Sequence, residues 1–321
     1  MAKTALVVIY NHHFPVNVDK IEKIYGERFD KIFHVMPFYE GDDDRIIPIY
    51  ENSYQFQGYI AQAVDKFYSD EYEYFAFMGD DVLLNPNLSN KTIEDMLKVD
   101  KDTGYIARNI KSMTLGHVET RKWILPSIAN YLHCEDKEAI DKLLPSPQEI
   151  AKKYEKLGLS CKIFDENAFN YLFDYMKIQP FWNFFYKIRF GNLEFDLAKI
   201  FEQYEKNSTL PLKPLIPFSL GFSDFFILPK RYIKDFVRIC GIFAHARIFV
   251  EVAIPTTMVI LLDKISLPQN LNQVVVNYNT KEARAELVER HGGSIKHIME
   301  NWEQENILVH PVKYSQWSLD I

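Results

Sequence analysis

The stretch Tyr74-Phe75-Ala76-Phe77-Met78-Gly79-Asp80-Asp81-Val82-Leu83-Leu84-Asn85-Pro86 most constrains what this chain can fold into. A short apolar run, rich in aromatic residues and bounded by turn signals, predicts a strand buried on both faces in a sheet covered by helices. That run ends in two adjacent carboxylates. Ligands of such sheets collect at the carboxyl ends of the strands, so Asp80 and Asp81 are expected at the rim of a crevice. Neighbouring carboxylates repel each other and are costly to desolvate unless a cation or hydrogen-bond donors compensate them. A divalent ion bridging to a diphosphate is one compensation, and hard oxygen donors suit Mg2+ or Mn2+. A solvated strand-end turn is the other reading these residues allow.

Upstream, Ala5 to Tyr10 reads as a first buried strand broken by Asn11-His12-His13 and Pro15, followed by a helix from about Val16 to Tyr25. Strands over Lys31 to Met36 and Ile46 to Ile49 flank the acidic Asp42-Asp43-Asp44, and Tyr54 to Phe67 reads as a helix. Strands alternating with helices at this spacing predict an α/β nucleotide-binding half over residues 1–111. The loop from Tyr10 to His13 is expected to face the same crevice as the acidic pair.

Residues 112–219 are less regular. They show helical patterns near Ser127 to Tyr131 and Pro147 to Leu157, an aromatic cluster from Phe181 to Tyr186, and the spaced Pro211, Pro214 and Pro217. This segment reads as a largely helical insertion, either lining an acceptor side or serving as a structural subdomain. Residues 220–321 form the third region. There Gly221-Phe222-Ser223-Asp224 feeds a strand and a helix from Lys230 to Cys240, and Glu251 stands alone in the apolar run Ile248 to Pro255. Burial raises the pKa of such a carboxyl and suits it to general-base work, while Arg247 or His245 could instead hold it in an ion pair. Val275 to Tyr278 reads as a strand and Thr280 to Arg290 as an amphipathic helix. In the closing His310-Pro311-Val312-Lys313 an imidazole could reach a metal and an ammonium a phosphate.

The formal net charge of −7 argues against a nucleic-acid binder with a broad basic face. Cys134, Cys161 and Cys240 lack zinc spacing and form no even disulfide set, which points to a reducing compartment. No signal-peptide pattern and no long apolar span is present, so a cytoplasmic chain, peripheral to a membrane at most, is expected. The absence of GxGxxG, GxxxxGK and GxSxG patterns weighs against a dehydrogenase, a P-loop hydrolase and an α/β-hydrolase.

Together these features resemble a glycosyltransferase of the GT-A fold. Gly79-Asp80-Asp81 matches its acidic DxD motif, Phe249-Val250-Glu251 its later xED motif, and His310 its C-terminal histidine, all in the family's order. Gly79 and Val250 stand where many members carry an additional acid. The Gly221 to Asp224 and His310 to Lys313 segments look like those of bacterial surface-polysaccharide transferases. The resemblance implies a GT-A-like mixed sheet flanked by helices, a nucleotide-sugar donor with a UDP-sugar favoured, and a glycan or lipid-linked glycan acceptor. It implies Mn2+ or Mg2+ on Asp81 and His310, with Asp80 on the ribose or metal shell and Lys313 on phosphate. Tyr10 and Asn11 would border the nucleobase and ribose. Glu251 would act as general base in an inverting transfer, with Asp224 in reserve as base or sugar ligand. A retaining transferase, a catalytically degenerate sugar- or nucleotide-binding scaffold, and a nucleotidyltransferase are the alternatives.

Overall fold

A computed structural model describes residues 2–112, 127, 130–131, 134–159 and 217–319. Strand β1 (Thr4–Ile9) leads through a 3-10 turn (Pro15–Asn17) into helix α1 (Val18–Tyr25), then to β2 (Lys31–Pro37) and β3 (Ile46–Ile49). Helix α2 (Phe56–Phe67) brings the chain to β4 (Tyr74–Gly79), followed by β5 (Leu83–Leu84), α3 (Ile93–Leu97), β6 (Thr103–Ile106) and β7 (Lys111–Ser112). Helices α4 (Lys137–Leu143) and α5 (Pro147–Lys156) precede β8 (Ser219–Leu220), β9 (Phe225–Pro229), α6 (Lys230–His245) and α7 (Val250–Leu261). Strands β10 (Lys264–Ser266) and β11 (Val274–Asn277), helices α8 (Lys281–His291) and α9 (Ile295–Glu300), and β12 (Asn306–His310) complete the described chain.

The protein is mixed α/β. Its main sheet has seven strands in the order β10-β6-β9-β4-β1-β2-β3. Strand β9 runs antiparallel between β4 and β6, and the remaining pairs are parallel. The alternation of side chains along a strand divides β1 between two cores. Ala5, Val7 and Ile9 pack on the side of α2, α6 and α7, whereas Leu6, Val8 and Tyr10 pack on the side of α1 and the C-terminal segment. All six residues of β4 are buried, as expected for a strand covered on both faces. A smaller sheet, β11-β12-β5, carries the C-terminal strand to the end of β4. Strands β7 and β8 pair antiparallel, so the two ends of the 112–219 segment lie side by side. Ile128 and Ala129 of the expected helix at 127–131, the Phe181–Tyr186 cluster, Pro211 and Pro214 lie outside the described residues. Among the described residues no helix is long and apolar enough to cross a membrane.

One segment left unassigned by the sequence takes form, and one local expectation changes. The apolar run around Glu251 is the start of a helix. Every residue from Val252 to Ile260 is buried, so no apolar stripe of helical period marks it in the sequence. Helix α8 carries no broad apolar face, since Leu287 and His291 are its only buried residues.

Candidate functional site

The chain winds from β1 outward to β2 and β3, then crosses back to β4 on the other side of β1. The carboxyl ends of β1 and β4 therefore flank the switch point of the sheet, where open α/β folds form their ligand crevice. Asn11 follows the first of these strands, and Asp80 and Asp81 follow the second.

The two acids at the end of β4 have different partners. Asp80 is 4% exposed. Its carboxylate accepts the Asn11 main-chain N–H at 3.0 Å and the Asn17 side-chain amide at 3.2 Å, tying the β1 loop and the foot of α1 to β4. Burial and the charge of Asp81 push its pKa up to about 7, against the pull of those two donors. Asp81 turns to the mouth. Its carboxylate lies 3.4 Å from His310 Nε2 and 3.5 Å from Lys313 Nζ, and its main-chain oxygen accepts the Val312 N–H at 2.7 Å. Burial drives the Asp81 pKa up, but His310 and Lys313 outweigh it and leave the carboxyl below its ordinary value. His310 is conversely pushed down by burial, yet Asp81 and Asp224 hold it above the usual imidazole range.

Asp224 joins them from the start of β9. A Cβ placed on Gly79 would lie 3.4 Å from Asp81 Oδ1 and 3.7 Å from Asp224 Oδ1, so both carboxylates close over this one glycine. Burial lifts the Asp224 pKa to about 6, with His310 pulling down and Asp81 pushing up. The His310 ring stands edge-on to Phe222, with centroids 5.4 Å apart. Asp81, Asp224, His310 and Lys313 thus converge from three separate stretches of chain.

Glu251 is half-buried in the first turn of α7, where a helix N-terminus favours a carboxylate. Its main-chain oxygen accepts the Gly221 N–H at 3.0 Å, which ties this turn to the segment leading into Asp224. Tyr10 sits differently from the expected ligand border. Its ring is wholly buried, and its hydroxyl pairs with His34 Nδ1 at 2.8 Å, while His34 Nε2 meets Glu22 at 3.0 Å. Beyond it the β1 loop exposes His12, His13 and Phe14, with Asn11 half-buried. Exposed Phe38, Tyr50 and Tyr54 follow β2 and β3, and Tyr39 stacks on His13 with centroids 5.9 Å apart.

Several supporting residues escaped the sequence reading. Lys20 donates to the main-chain oxygens of Tyr314 and Trp317 at 2.5 and 2.7 Å, pinning the loop that carries Lys313. The Tyr314 hydroxyl donates to Val82 O at 2.8 Å. Helix α1 holds Asn17 at its foot and supplies Lys20 and Glu22, so one helix braces the β1 loop, β2 and the C-terminal loop together. An acid-amide pair 63 residues apart leaves no local signal.

The donor set fits a hard divalent cation. Asp81 offers its carboxylate oxygens with His310 Nε2 3.4 Å away, and no strong hydrogen bond occupies Asp81 Oδ1. Among the described residues no three His, Cys, Asp or Glu side chains form a ready metal cage. Mg2+ and Mn2+ sites of the phosphate-handling kind need none, since one or two carboxylates suffice when phosphate and water complete the shell. Comparison with protein-family models finds no match to this chain, and comparison with curated proteins finds none either.

Proposed function

We propose that the protein is a metal-dependent glycosyltransferase with a GT-A-like architecture, taking a nucleotide-diphosphate sugar, with a UDP-sugar favoured, to a glycan or lipid-linked glycan hydroxyl. The observation that carries this reading is the convergence of Asp81, His310 and Lys313 at the switch-point crevice, with Asp224 beside them. Asp81 and His310 would hold Mn2+ or Mg2+, which when bound supplies Lewis-acid neutralisation of a leaving diphosphate. Lys313, half-exposed beside Asp81, adds a positive charge for the same phosphates. Asp80 acts from behind, holding Asn11 in place against the ribose. The rings of Phe14, Tyr39 and Phe38 at the neighbouring strand ends offer apolar faces to a base.

Glu251 is the general base in this account. It would take the proton of the acceptor hydroxyl as that oxygen attacks the anomeric carbon, a contribution of roughly 100- to 10,000-fold. Asp224, lying against the metal-binding acid, is better placed to hold the donor sugar and stands in reserve as base. The compartment is the cytoplasm in this reading, with the acceptor presented at the inner face of a membrane.

A second reading, a sugar- or nucleotide-binding scaffold without turnover, draws on the lack of a ready metal cage among the described residues. Release of nucleoside diphosphate from a panel of UDP-, GDP-, CMP- and TDP-sugars, with Mn2+ or with chelator, separates the two. The proposal expects metal-dependent release from one donor class, accelerated by acceptor. Binding of a donor without release under any condition would favour the scaffold.

A further inference from the structure

Helices α8 and α9 pack beside the small sheet, sharing a cleft with Val276 of β11 and Val309 of β12. There His291, 8% exposed, closes α8, and His297 stands in the first turn of α9. Their Nδ1 atoms face each other at 3.1 Å. Two imidazole nitrogens this close either share one proton or share one cation. An ion about 2.1 Å from each, the usual Zn–N distance, would see them at an angle of about 95°, between the octahedral cis angle and the tetrahedral one.

We propose that His291 and His297 form a second metal site, for a first-row transition ion of the Zn2+ class, chemically distinct from the Asp81 site. Imidazole pairs select Zn2+, Ni2+ or Cu2+ over Mg2+, whereas carboxylate sites prefer the hard ions. The turn between them is built for the approach. Gly292 and Gly293 both adopt positive φ, 62° and 66°, and the Ser294 hydroxyl accepts the His297 N–H at 3.2 Å, which fixes the start of α9. A cleft beside His291 is lined by Arg290, Glu303, Trp302 and Asn301. No third His, Cys, Asp or Glu joins the pair among the described residues. Val309, one residue before His310, lines the same cleft, so a bound ion would brace the strand that delivers His310.

Isothermal titration of the chelator-stripped full chain with Zn2+, in excess Mg2+ to occupy the hard-ion site, tests this directly. The proposal expects one equivalent bound, weaker at acid pH, lost in His297→Ala and retained in Asp81→Ala. His297 is exposed, so that variant keeps its fold. Co2+ added to the native chain should give nitrogen-ligated visible bands that disappear in the same variant. No binding, or an equivalent that survives His297→Ala, would overturn the proposal. Neither outcome bears on sugar transfer, which is read at Asp81.

Discussion

Gly221 donates its main-chain N–H to the carbonyl oxygen of Glu251 at 3.0 Å, using an acceptor that Pro255 leaves free. Within α7 that carbonyl would normally bond the N–H four residues on, which proline lacks. The proline thus opens the helix where the strand leading to Asp224 can join it, and Pro255 Cβ would sit 3.1 Å from a Cβ on Gly221. Gly221→Ala should therefore push the two segments apart, costing about 1–3 kcal/mol of stability as overpacking does. If Glu251 is the base, turnover should fall by more than donor affinity does. Thermal melts alongside kcat and KM check this; an unchanged kcat would separate the Glu251 turn from the chemistry.

Asp80 makes stability depend on pH in a defined direction. Its native pKa, raised from 3.8 to about 7, means that the unfolded chain loses this proton before the native one does. Native stability from this group therefore falls as pH climbs from about 4 to about 7 and levels above. Asp80→Asn removes the effect, and Asn17 Oδ1, buried without a partner, can turn to accept from the new amide. With chelator present, the variant should gain on the wild type across that window by at least about 1 kcal/mol, since each pKa unit is worth about 1.4. A difference in melting temperature that stays flat with pH would contradict this.

Lys20 holds the C-terminal loop by two carbonyls. Lys20→Met should release it at a cost of about 1–3 kcal/mol, the range for hydrogen bonds to a charged group. Hydrogen exchange at Val312 and Tyr314 should speed up while β1 and β4 stay protected. Equal exchange in both proteins would show the pin to be idle.

Tyr10→Phe distinguishes a core tyrosine from a ligand contact. Removing its hydroxyl leaves the buried His34 Nδ1 unpaired, worth about 1–3 kcal/mol of stability. Nucleotide affinity should not change. The reverse pattern, intact stability with weakened binding, would return Tyr10 to the ligand.

The sheet was legible where periodicity and punctuation agree. Strand β4 shows as an apolar run stopped by acids, β2, β3 and α2 lie close to their expected spans, and α6 starts at Lys230 as expected but continues past Cys240 to His245. The alternation that turns Tyr10 inward with Leu6 and Val8 was also present in the sequence, but its place beside Asn11 in the loop drew attention to the ligand instead. Helix α7 was hidden because a helix buried all round has no stripe, and its valines, isoleucines and proline are poor helix formers. Asn17, Lys20 and His34 were beyond reach for another reason. Their partners lie 63 residues away for Asn17, 294 and 297 for Lys20, and 24 for His34, and only the assembled fold brings them together.

The most direct test of the central claim is calorimetric titration of UDP into the full chain with Mn2+, with chelator, and into Asp81→Ala with Mn2+. The account predicts binding in the first case and at least a tenfold loss, about 1.4 kcal/mol, in the other two. UDP binding that is indifferent to both metal and Asp81 would contradict it.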